Sequence, residues 1–392
     1  MKTTTFGEIS KKIFSGGTPS TMEPGYWDGP LPWLSSGETG QTLIFGTVDH
    51  ITPLGVENSS TKLAKKGSIV IASAGQGNTR GQVSFLEIDT YVNQSVIVLE
   101  IDEAKAFPYF VFLNLRMRYK ELRSVSDENS IRGSITIPII SGLPLSLPDM
   151  TEQIRIGNFV HSLDLLSKNL DDQAFSVYSM AKEYYQDRFV RFHSPKLELN
   201  DFDCGIPKGW SYRSLSDFCS VDYGFPFDSA KFTVQKTAYP VVRIRDILDC
   251  SSSTFTSEDP GVFYKLSEND ILVGMDGNFH MNIWGEDLGY LNQRVTRLRV
   301  KTGIPLFYVY FSVLPQIEDL ESVIQGTTVA HLGAKDWADM RILWPGTAFL
   351  NEAGEILQPL LLKWQSLRVR KKLVDNEISL TLPYFLTPSV LF

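Results

Sequence analysis

The hydrophobic pattern divides the chain into four stretches. Short apolar runs such as Ile69–Ala72, separated by Gly, Pro, Ser and Asn, fill most of residues 1–148, and runs of this kind favour β-strands. Residues 149–194 contain no proline, and their apolar side chains recur at a helical spacing. The same two patterns then follow once more, over residues 195–345 and 346–392.

The stretch after Pro148 predicts a long helix. Asp149 and Glu152 have the spacing of a capping box, and apolar residues then recur every seven positions, as in a coiled coil. A weaker copy of this stripe lies in the last stretch, where Pro359 is expected to kink or restart the helix. The predicted seam residues are Ile156, Phe159, Leu163, Leu166, Leu170, Val177, Met180, Leu357, Leu360, Trp364, Leu367 and Val374. We expect the two helices to pair with each other in antiparallel orientation; the alternative is that each packs on its own domain.

The chain also repeats itself at a spacing of about 200 residues. "GSIVIASAG" (67–75) matches "NDILVGMDG" (269–277), and "YVNQ" (91–94) matches "YLNQ" (290–293). A repeat this long indicates a duplicated domain rather than a solenoid. Because Asn93–Gln94 and Asn292–Gln293 occur in both halves, we interpret these two pairs as structural.

Composition indicates where the protein is expected to be located more than which chemistry it performs. No apolar run is long enough to cross a bilayer, and the three widely spaced cysteines fit a reducing compartment, so we expect a cytoplasmic protein. The net charge is −8, and no segment is strongly basic. If the chain binds DNA, its basic groups must be gathered on one side, or partner subunits must supply part of the positive field.

The sequence contains no recognisable motif of an autonomous active site. The loop Gly75–Gly81 resembles a phosphate cradle, but its glycine spacing is one residue too long for G-x-G-x-x-G. It is followed by the strand-like "QVSFLEI" and not by a helix N-terminus. No G-K-[ST], H-E-x-x-H or G-x-S-x-G motif occurs, and the five histidines are scattered, with His161 expected in solvent on the helix. The sequence therefore favours binding over catalysis, without a metal site.

Four motifs in order resemble one known family. They are "SGGTPSTMEPGYWDGPLPWLSSGE" (15–38), the apolar run that leads to "NQ", the helix entry "LPDMTEQIRI" (147–156) and "IPKGWSYRSLSDF" (206–218). Together they resemble the specificity subunit of Type I restriction-modification enzymes over nearly the whole chain. The entry to the second helix departs from the pattern, because Glu152–Gln153 is replaced by Glu352–Ala353.

The resemblance implies an α+β fold of two homologous, mainly β target recognition domains. A long antiparallel two-helix coiled coil separates them, with pseudo-two-fold symmetry. It implies a non-catalytic chain that recognises a bipartite target in double-stranded DNA and docks two modification subunits. S-adenosylmethionine would be held by those modification subunits. ATP and Mg²⁺ would belong to the restriction subunits.

Loop residues that differ between the halves are the candidates for reading different bases, since Arg, Asn, Gln, Ser and Thr suit base edges. In the first half the candidates are Thr18, Ser20, Thr21, Ser73, Gln76, Asn78, Thr79, Arg80, Arg132 and Ser134. In the second half they are Tyr223, Arg243, Arg245, Asp276, Asn278, His280, Asn282, Gln325, Thr327, Thr328 and His331. Arg243 and Arg245 alternate on a strand-like run and are expected to share a face.

Two other functions remain open at this level. The chain could serve a methylation-only complex, or it could be a two-lobed scaffold without a DNA target. An enzyme that uses the Gly75–Gly81 loop is disfavoured, since the duplicate of that loop at residues 277–285 does not keep its glycine spacing.

Overall fold

The computed structural model describes residues 2–75, 77–129, 133–193, 202–236, 239–285, 288–324 and 331–386. The chain forms two compact units, one of residues 1–169 with 371–392 and the other of residues 170–370. Each unit therefore contains its own sheets and a part of both long helices.

The first unit contains two larger sheets and several helices. Its strands are β1 (Lys2–Thr5), β2 (Ser10–Ser15), β3 (Trp27–Leu34), β4 (Leu43–Ile44), β5 (Asp49–Ile51), β6 (Lys62–Ala64), β7 (Ile69–Ala72), β8 (Val83–Leu86), β9 (Thr90–Val92), β10 (Val96–Ile101) and β11 (Pro144–Leu147). Its helices are α1 (Phe6–Ile9), α2 (Pro53–Glu57), α3 (Pro108–Met117), α4 (Tyr119–Asn129), α5 (Ile137–Gly142), the first part of α6 (Met150–Tyr185) and the last part of α9 (Thr347–Leu386). The sheet orders are β2-β10-β7-β8-β4 and β5-β3-β9-β6, and β1 pairs with β11.

The five-stranded sheet is buried on both faces. Ile69 and Ile71 of β7 belong to the core that includes α3 and α6, whereas Val70 packs in the smaller core with Leu34 and Val92 of the second sheet. A strand covered on both sides needs apolar residues at consecutive positions. This explains why "IVIA" is an unbroken apolar run and not an alternating one.

The second unit repeats this plan, with four strands in its largest sheet. Its strands are β12 (Phe202–Asp203), β13 (Ile206–Pro207), β14 (Ser211–Ser214), β15 (Cys219–Tyr223), β16 (Phe232–Thr233), β17 (Val241–Val242), β18 (Phe255–Thr256), β19 (Ile271–Gly274), β20 (Met281–Ile283), β21 (Tyr290–Leu291), β22 (Val295–Val300) and β23 (Arg341–Trp344). Its helices are the rest of α6, α7 (Leu306–Ile324), α8 (Ala334–Asp339) and the first part of α9 (Thr347–Leu386). The largest sheet has the order β15-β22-β19-β20.

The pairing registers confirm the duplication that the sequence predicts. Val96 of β10 pairs with Ala72 of β7, and Val295 of β22 pairs with Gly274 of β19, both antiparallel. The parallel pairs also correspond, since β3 lies beside β9 in the first unit and β17 beside β21 in the second. The fold is therefore a duplicated α+β architecture, as predicted.

Buried charges distinguish the second large sheet from the first. The guanidinium of Arg297, which is 1% exposed, donates to the Asp222 carboxylate at 2.7 and 3.1 Å. Asp270, also buried, accepts two bonds from Arg299 at 2.8 and 2.9 Å. At the position that matches Arg297, the first unit has the buried Val98. The Arg297–Asp222 pair fixes one register of β15 against β22, because a shift would leave the buried guanidinium without its partner.

Helix α6 begins just after Pro148 with a side-chain cap. The N-terminus of α6 follows Pro148, and the Asp149 carboxylate accepts the backbone N–H of Glu152 at 2.9 Å. The Glu152 carboxylate bonds the side chain of Arg155 instead of completing the predicted capping box.

Helix α9 continues through Pro359, so the predicted restart there is wrong. Pro359 is exposed, and the Glu355 carbonyl, which loses its helical partner, lies on the exposed side where water can bind it.

One of the two predicted stripes on α6 is the seam, and the other is not. Ile156 and Leu170 are buried, and Leu163 and Val177 are half-buried, as predicted. Phe159, Leu166 and Met180 are 45%, 40% and 60% exposed, so the prediction that they fill the buried seam is wrong, although Phe159 contacts α9 at the margin of the seam. The second buried stripe lies one residue later in each heptad, at Val160, Ser167, Ala174 and Ala181. Heptad seams alternate steps of three and four residues. The prediction takes the larger apolar residue at each turn, and it therefore places a three-residue step where the structure has a four-residue step.

The seam of α9 is close to the prediction. Leu357, Trp364 and Leu367 are buried, while Leu360 and Val374 are half-buried. Small residues on α6 allow the facing helix to approach closely.

Contacts within each unit show that the two helices run antiparallel. In the first unit, the Phe159 ring lies 6.0 Å from that of Phe385, and the Ser167 hydroxyl donates to Asp375 at 2.5 Å. In the second unit, Tyr178 lies 6.2 Å from Trp364. The partner number falls as the α6 number rises, as the antiparallel prediction requires.

Helix α6 also contacts the sheet of the first unit through polar side chains. Nε2 of His161 lies 2.7 Å from Oε1 of Glu87, and its ring centroid is 4.2 Å from that of Tyr109. The expectation that His161 is solvated is therefore wrong. The Tyr109 hydroxyl donates to Asp164 at 2.6 Å, and burial raises the pKa of Tyr109 far above its usual range, so that the phenol stays protonated.

Substitution by aspartate separates the observed seam from the predicted one. Val160→Asp buries an unpaired carboxylate in the first unit and should reduce the free energy of unfolding by about 4 kcal/mol or more. Leu166→Asp, on the same helix but 40% exposed, should cost less than about 1 kcal/mol. Urea unfolding of the two variants measures the difference. A larger loss for Leu166→Asp than for Val160→Asp would contradict the assigned seam.

Candidate nucleic-acid interface

Four strand ends of the first large sheet meet at one edge. β2 and β7 end there, and β8 and β10 begin there, because neighbouring strands in this part of the sheet are antiparallel. The loops that leave these ends are residues 16–26, 73–82 and 93–95. The backbone N–H of Ser73 donates to the Ser95 carbonyl at 2.8 Å, and Ile135 donates to the Ser73 carbonyl at 2.8 Å. These bonds bring loop 73–82, residue 95 and the segment at 133–135 together.

The second large sheet has the same arrangement at the matching edge. Met275 donates to the Arg294 carbonyl at 3.0 Å, and Leu332 donates to the Met275 carbonyl at 2.8 Å. We refer to these two bonds, with their counterparts at Ser73, Ser95 and Ile135, as the backbone frame of each unit. Because the bonds join main-chain groups, the frame does not depend on which side chains it carries.

Two glycines allow the neighbouring loop to approach this frame in each unit. A Cβ on Gly16 would lie 1.9 Å from the Val92 carbonyl oxygen, and one on Gly224 would lie 2.0 Å from that of Asn292. No side chain can occupy either position without moving the backbone. The close approach places the loops after β2 and β15 beside the Asn–Gln pairs.

The asparagines of these pairs have the predicted structural role. Asn93 and Asn292 are buried, and their side-chain oxygens accept the backbone N–H of Ser95 at 2.9 Å and of Arg294 at 3.2 Å. Gln94 is exposed, and its Oε1 accepts the Thr18 hydroxyl at 2.6 Å. Asn93 and Asn292 thus shape the same turn in both units.

The described residues of the loop Gly75–Gly81 have a fixed backbone. The loop leads directly into β8, as the sequence indicates, and α4 holds its backbone. The Tyr119 hydroxyl donates to the Asn78 carbonyl at 2.9 Å, and Arg123 donates to the Gly77 carbonyl at 2.6 Å. Gly75, Gly77 and Gly81 have φ angles of +140°, +61° and +86°, which side-chain-bearing residues rarely adopt. The Asn78 side chain is exposed from this fixed loop.

Most of the described first-unit candidates lie around the frame, but two of them have structural contacts. Ser73 is buried within it, and Arg80, half-buried, donates to the Gly133 carbonyl. Thr18, Thr79 and Ser134 are half-buried, and Asn78 is exposed. Ser20 and Thr21 are exposed in the loop after β2, and the Ser20 carbonyl accepts the Trp27 indole N–H at 3.1 Å. Gln76 and Arg132 lie outside the described residues.

In the second unit, the candidates separate into two groups. Tyr223, Asp276, Asn278, His280 and His331 lie at the edge that carries the frame. Burial raises the pKa of Tyr223, with a further contribution from the charge of Asp336, so its phenol remains a hydrogen-bond donor. Gln325, Thr327 and Thr328 lie outside the described residues.

Asn282, Arg243 and Arg245 are placed differently from the prediction. The Asn282 amide donates to the carbonyls of Ile247 at 3.2 Å and Leu248 at 2.8 Å, which fastens a neighbouring loop. β17 ends at Val242, so Arg243 caps a 3-10 turn of Ile244–Asp246 and does not share a strand face with Arg245. Arg243 bonds Asp246 and Thr254, whereas Arg245 is exposed. A run of two strand-like residues was too short to specify the alternation.

The structure adds one candidate that the sequence reasoning missed. Nη1 of Arg294 donates to Oδ2 of Asp276 at 2.7 Å, and Nδ1 of His331 lies 2.7 Å from the other oxygen, Oδ1. Arg294 follows Asn292–Gln293, whereas Ser95 follows Asn93–Gln94. This difference immediately after a shared pair was the signal in the sequence.

Comparison with known proteins decides the family. The family model described as "Type I restriction modification DNA specificity domain" matches residues 1–174 and 207–361. The chain belongs to this family. Its two matches coincide with the two copies of the sheet-and-helix plan, which is what a specificity subunit with an internal duplication requires.

Individual relatives agree with this assignment. The chain is 24% identical to the Type I restriction enzyme MjaIX specificity subunit of Methanocaldococcus jannaschii, over 93% of this chain and 88% of that protein. It is 30% identical to the EcoBI specificity subunit of Escherichia coli, over 46% of this chain and 39% of that protein. The Type I restriction-modification S subunit from M. genitalium has the same fold, with a TM-score of 0.64 and 12% identity over 99% of this chain and 96% of that one.

The described residues of this chain show neither a candidate metal site nor a candidate membrane span. In the ranges given above, no group of three or more His, Cys, Asp or Glu side chains is arranged to hold a metal ion. No helix in the same ranges is both long and apolar enough to cross a membrane.

The two closely approached glycines provide a test of the frame. Gly16→Ala and Gly224→Ala should each reduce the free energy of unfolding by about 1–3 kcal/mol, because the added methyl group overlaps a carbonyl oxygen. Gly25→Ala and Gly285→Ala are matched controls, since a Cβ at either position meets nothing within 4 Å. Thermal unfolding, with hydrogen exchange of the amides at 93–96 and 292–295, measures the effect. Equal exchange in the variants and the controls would contradict the close approach.

Proposed function

We propose that this specificity chain recognises a bipartite sequence in double-stranded DNA, with each unit reading one half. The observation that carries the proposal is the backbone frame, which recurs in both units and holds different side chains in each. A duplicated domain that kept its frame and changed its exposed residues is suited to two related but unequal targets. The established membership of the Type I specificity family supports the same reading.

The chemistry around the frame suits base edges. The first unit offers hydroxyl and amide groups, at Thr18, Asn78 and Ser134, which can donate or accept at a groove edge. The second unit offers a phenol, two histidines and an arginine, at Tyr223, His280, His331 and Arg294. The two sets differ in donor and acceptor pattern, as unequal half-sites require.

The long helices supply surface for protein partners in this proposal. Large apolar residues remain exposed on them, including Leu165 and Leu373 in the first unit and Phe175 and Leu362 in the second. Apolar side chains that are exposed together on a surface can mark a protein–protein contact. We assign them to two modification subunits. Restriction subunits would join the same complex.

The cofactors of the reaction belong to those partners in this proposal. S-adenosylmethionine is held by the modification subunit, and ATP with Mg²⁺ by the restriction subunit, while this chain forms and breaks no bond itself. The Gly75–Gly81 loop supports this division, because it is fastened to α4 and leads into a strand. With a net charge of −8, the chain also benefits from partner subunits that contribute phosphate contacts. We place the complex in the cytoplasm, where the DNA is accessible.

Methylation mapping tests the proposed function. Sequencing that detects N6-methyladenine, applied to the source cell with and without this gene, should reveal one bipartite motif that loses methylation when the gene is deleted. Restoring the gene should restore the motif. An unchanged pattern of modified adenines after deletion would contradict the proposal. Loss of a continuous, undivided motif would contradict the assignment of one half to each unit.

A further inference from the structure

The side chains of Asp276, Arg294 and His331 form one connected cluster at the frame of the second unit. The Asp276 carboxylate accepts Nη1–H of Arg294 at 2.7 Å through one oxygen and meets Nδ1 of His331 at 2.7 Å through the other. The side chains of Arg294 and His331 are 59% and 54% exposed, while Asp276 is 20% exposed. The carboxylate is thus the covered centre, and the two nitrogen-bearing groups are the accessible parts.

Three separate segments are fixed where these side chains begin. Met275 donates to the Arg294 carbonyl, and the Arg294 N–H donates to the Asn292 side chain at 3.2 Å. Asp276 and His331 form an antiparallel backbone bridge, and Leu332 donates to the Met275 carbonyl. The three residues of the cluster are therefore attached to the backbone frame and do not lie at the outer end of a loop.

The first unit has the same frame without the cluster. The positions that match Asp276, Arg294 and His331 hold Ala74, Ser95 and Ser134. The corresponding backbone bonds, Ser73 to Ser95 and Ile135 to Ser73, are both 2.8 Å. The two frame bonds are therefore shared by both units, while the side chains at these three positions differ, which is the behaviour of positions that set specificity.

We propose that Arg294 reads a guanine in the half-site of the second unit, with Asp276 and His331 as positioning residues. This inference rests on the proposed function and names a residue and a base within it. Within the described part of the chain, Asp276 is the partner of the Arg294 guanidinium through Nη1, which leaves Nε–H and Nη2–H as parallel donors. Parallel arginine donors match O6 and N7 of guanine in the major groove.

Pre-organisation by Asp276 favours this contact. A free arginine side chain loses rotamer freedom when it binds, whereas one already bonded to a carboxylate has lost part of that freedom before DNA arrives. His331 holds the second oxygen of Asp276, so the carboxylate cannot rotate away without breaking that contact. The planar guanidinium is thereby kept in one orientation.

The same carboxylate argues against a phosphate contact. A residue that anchors a phosphate contributes through its net positive charge, and the charge of Arg294 is opposed by Asp276 at hydrogen-bond distance. A phosphate approaching this pair would also meet the negative charge of Asp276. A base edge carries no net charge, and direction rather than charge decides its binding.

The test uses the full chain in complex with its modification subunit, on duplexes that carry the motif mapped in the source cell. Each position of the second-unit half-site is replaced by all four base pairs, and transfer of labelled methyl groups from S-adenosylmethionine is measured. For the wild type, one G·C pair should be preferred strongly. Arg294→Ala should reduce that preference about 10- to 100-fold and leave the discrimination at every other position unchanged.

Conservative variants separate base reading from charge. Arg294→Lys keeps the charge but loses the parallel donors, so it should lose most of the guanine preference. Asp276→Asn should weaken the preference at the same position, since the guanidinium is no longer held. Ser95→Ala, at the matching position of the first unit, is the control and should leave the second half-site unchanged.

Two results would overturn the inference. If Arg294→Ala lowers methylation equally on all duplexes and Arg294→Lys restores it, Arg294 contacts a phosphate. If Arg294→Ala leaves every preference as in the wild type, Arg294 contacts no base. Both results leave the proposed function intact, because the wild-type complex still modifies a bipartite motif. Failure of the wild-type complex to select any motif would instead reject the proposed function itself.

Discussion

Main-chain hydrogen bonds at one edge of each large sheet are the interaction on which the rest of the candidate site depends. Ser73 with Ser95 and Ile135, and Met275 with Arg294 and Leu332, are held by their backbones. A backbone bond tolerates any side chain that fits the local geometry. The loops can therefore change their exposed residues while the strand ends stay in place, and the same architecture can hold two different recognition surfaces.

Buried contacts next to that edge hold the strand ends in place. Gly16 and Gly224 leave no room for a side chain against the neighbouring strand, and the buried asparagines Asn93 and Asn292 close the turn. In the second unit, the ion pair of Arg297 with Asp222 adds a penalty for any shift of register. On the helices, small buried residues of α6, such as Ser167 in the first unit and Ala174 in the second, leave room for α9. Some larger apolar residues of α6, such as Leu165 and Phe175, remain exposed.

Much of this architecture could be predicted from the sequence, because its signals are repeated. The two copies of the apolar run with its Asn–Gln pair predicted the duplication, and the absence of proline from residues 149–194 predicted the long helix. Details that depend on local geometry could not be predicted. The seam stripe at Val160 and Ser167 was missed because larger apolar residues lie one position earlier. The prediction extended the strand of Val241–Val242 as far as Arg245, because a capped 3-10 turn of three residues has no hydrophobic period that would mark it.

The placement of the candidate residues could be predicted by region better than residue by residue. Loops that differ between halves do collect at the frame, but Ser73 and Arg80 turn inward there, and Arg294 was missed. The most direct test of the whole account exchanges residues 1–148 for the matching segment of another family member and maps methylated adenines in cells that carry the chimaera. The account predicts that one half of the motif changes to that of the donor and the other half stays the same. A change in both halves, or in neither, would contradict it.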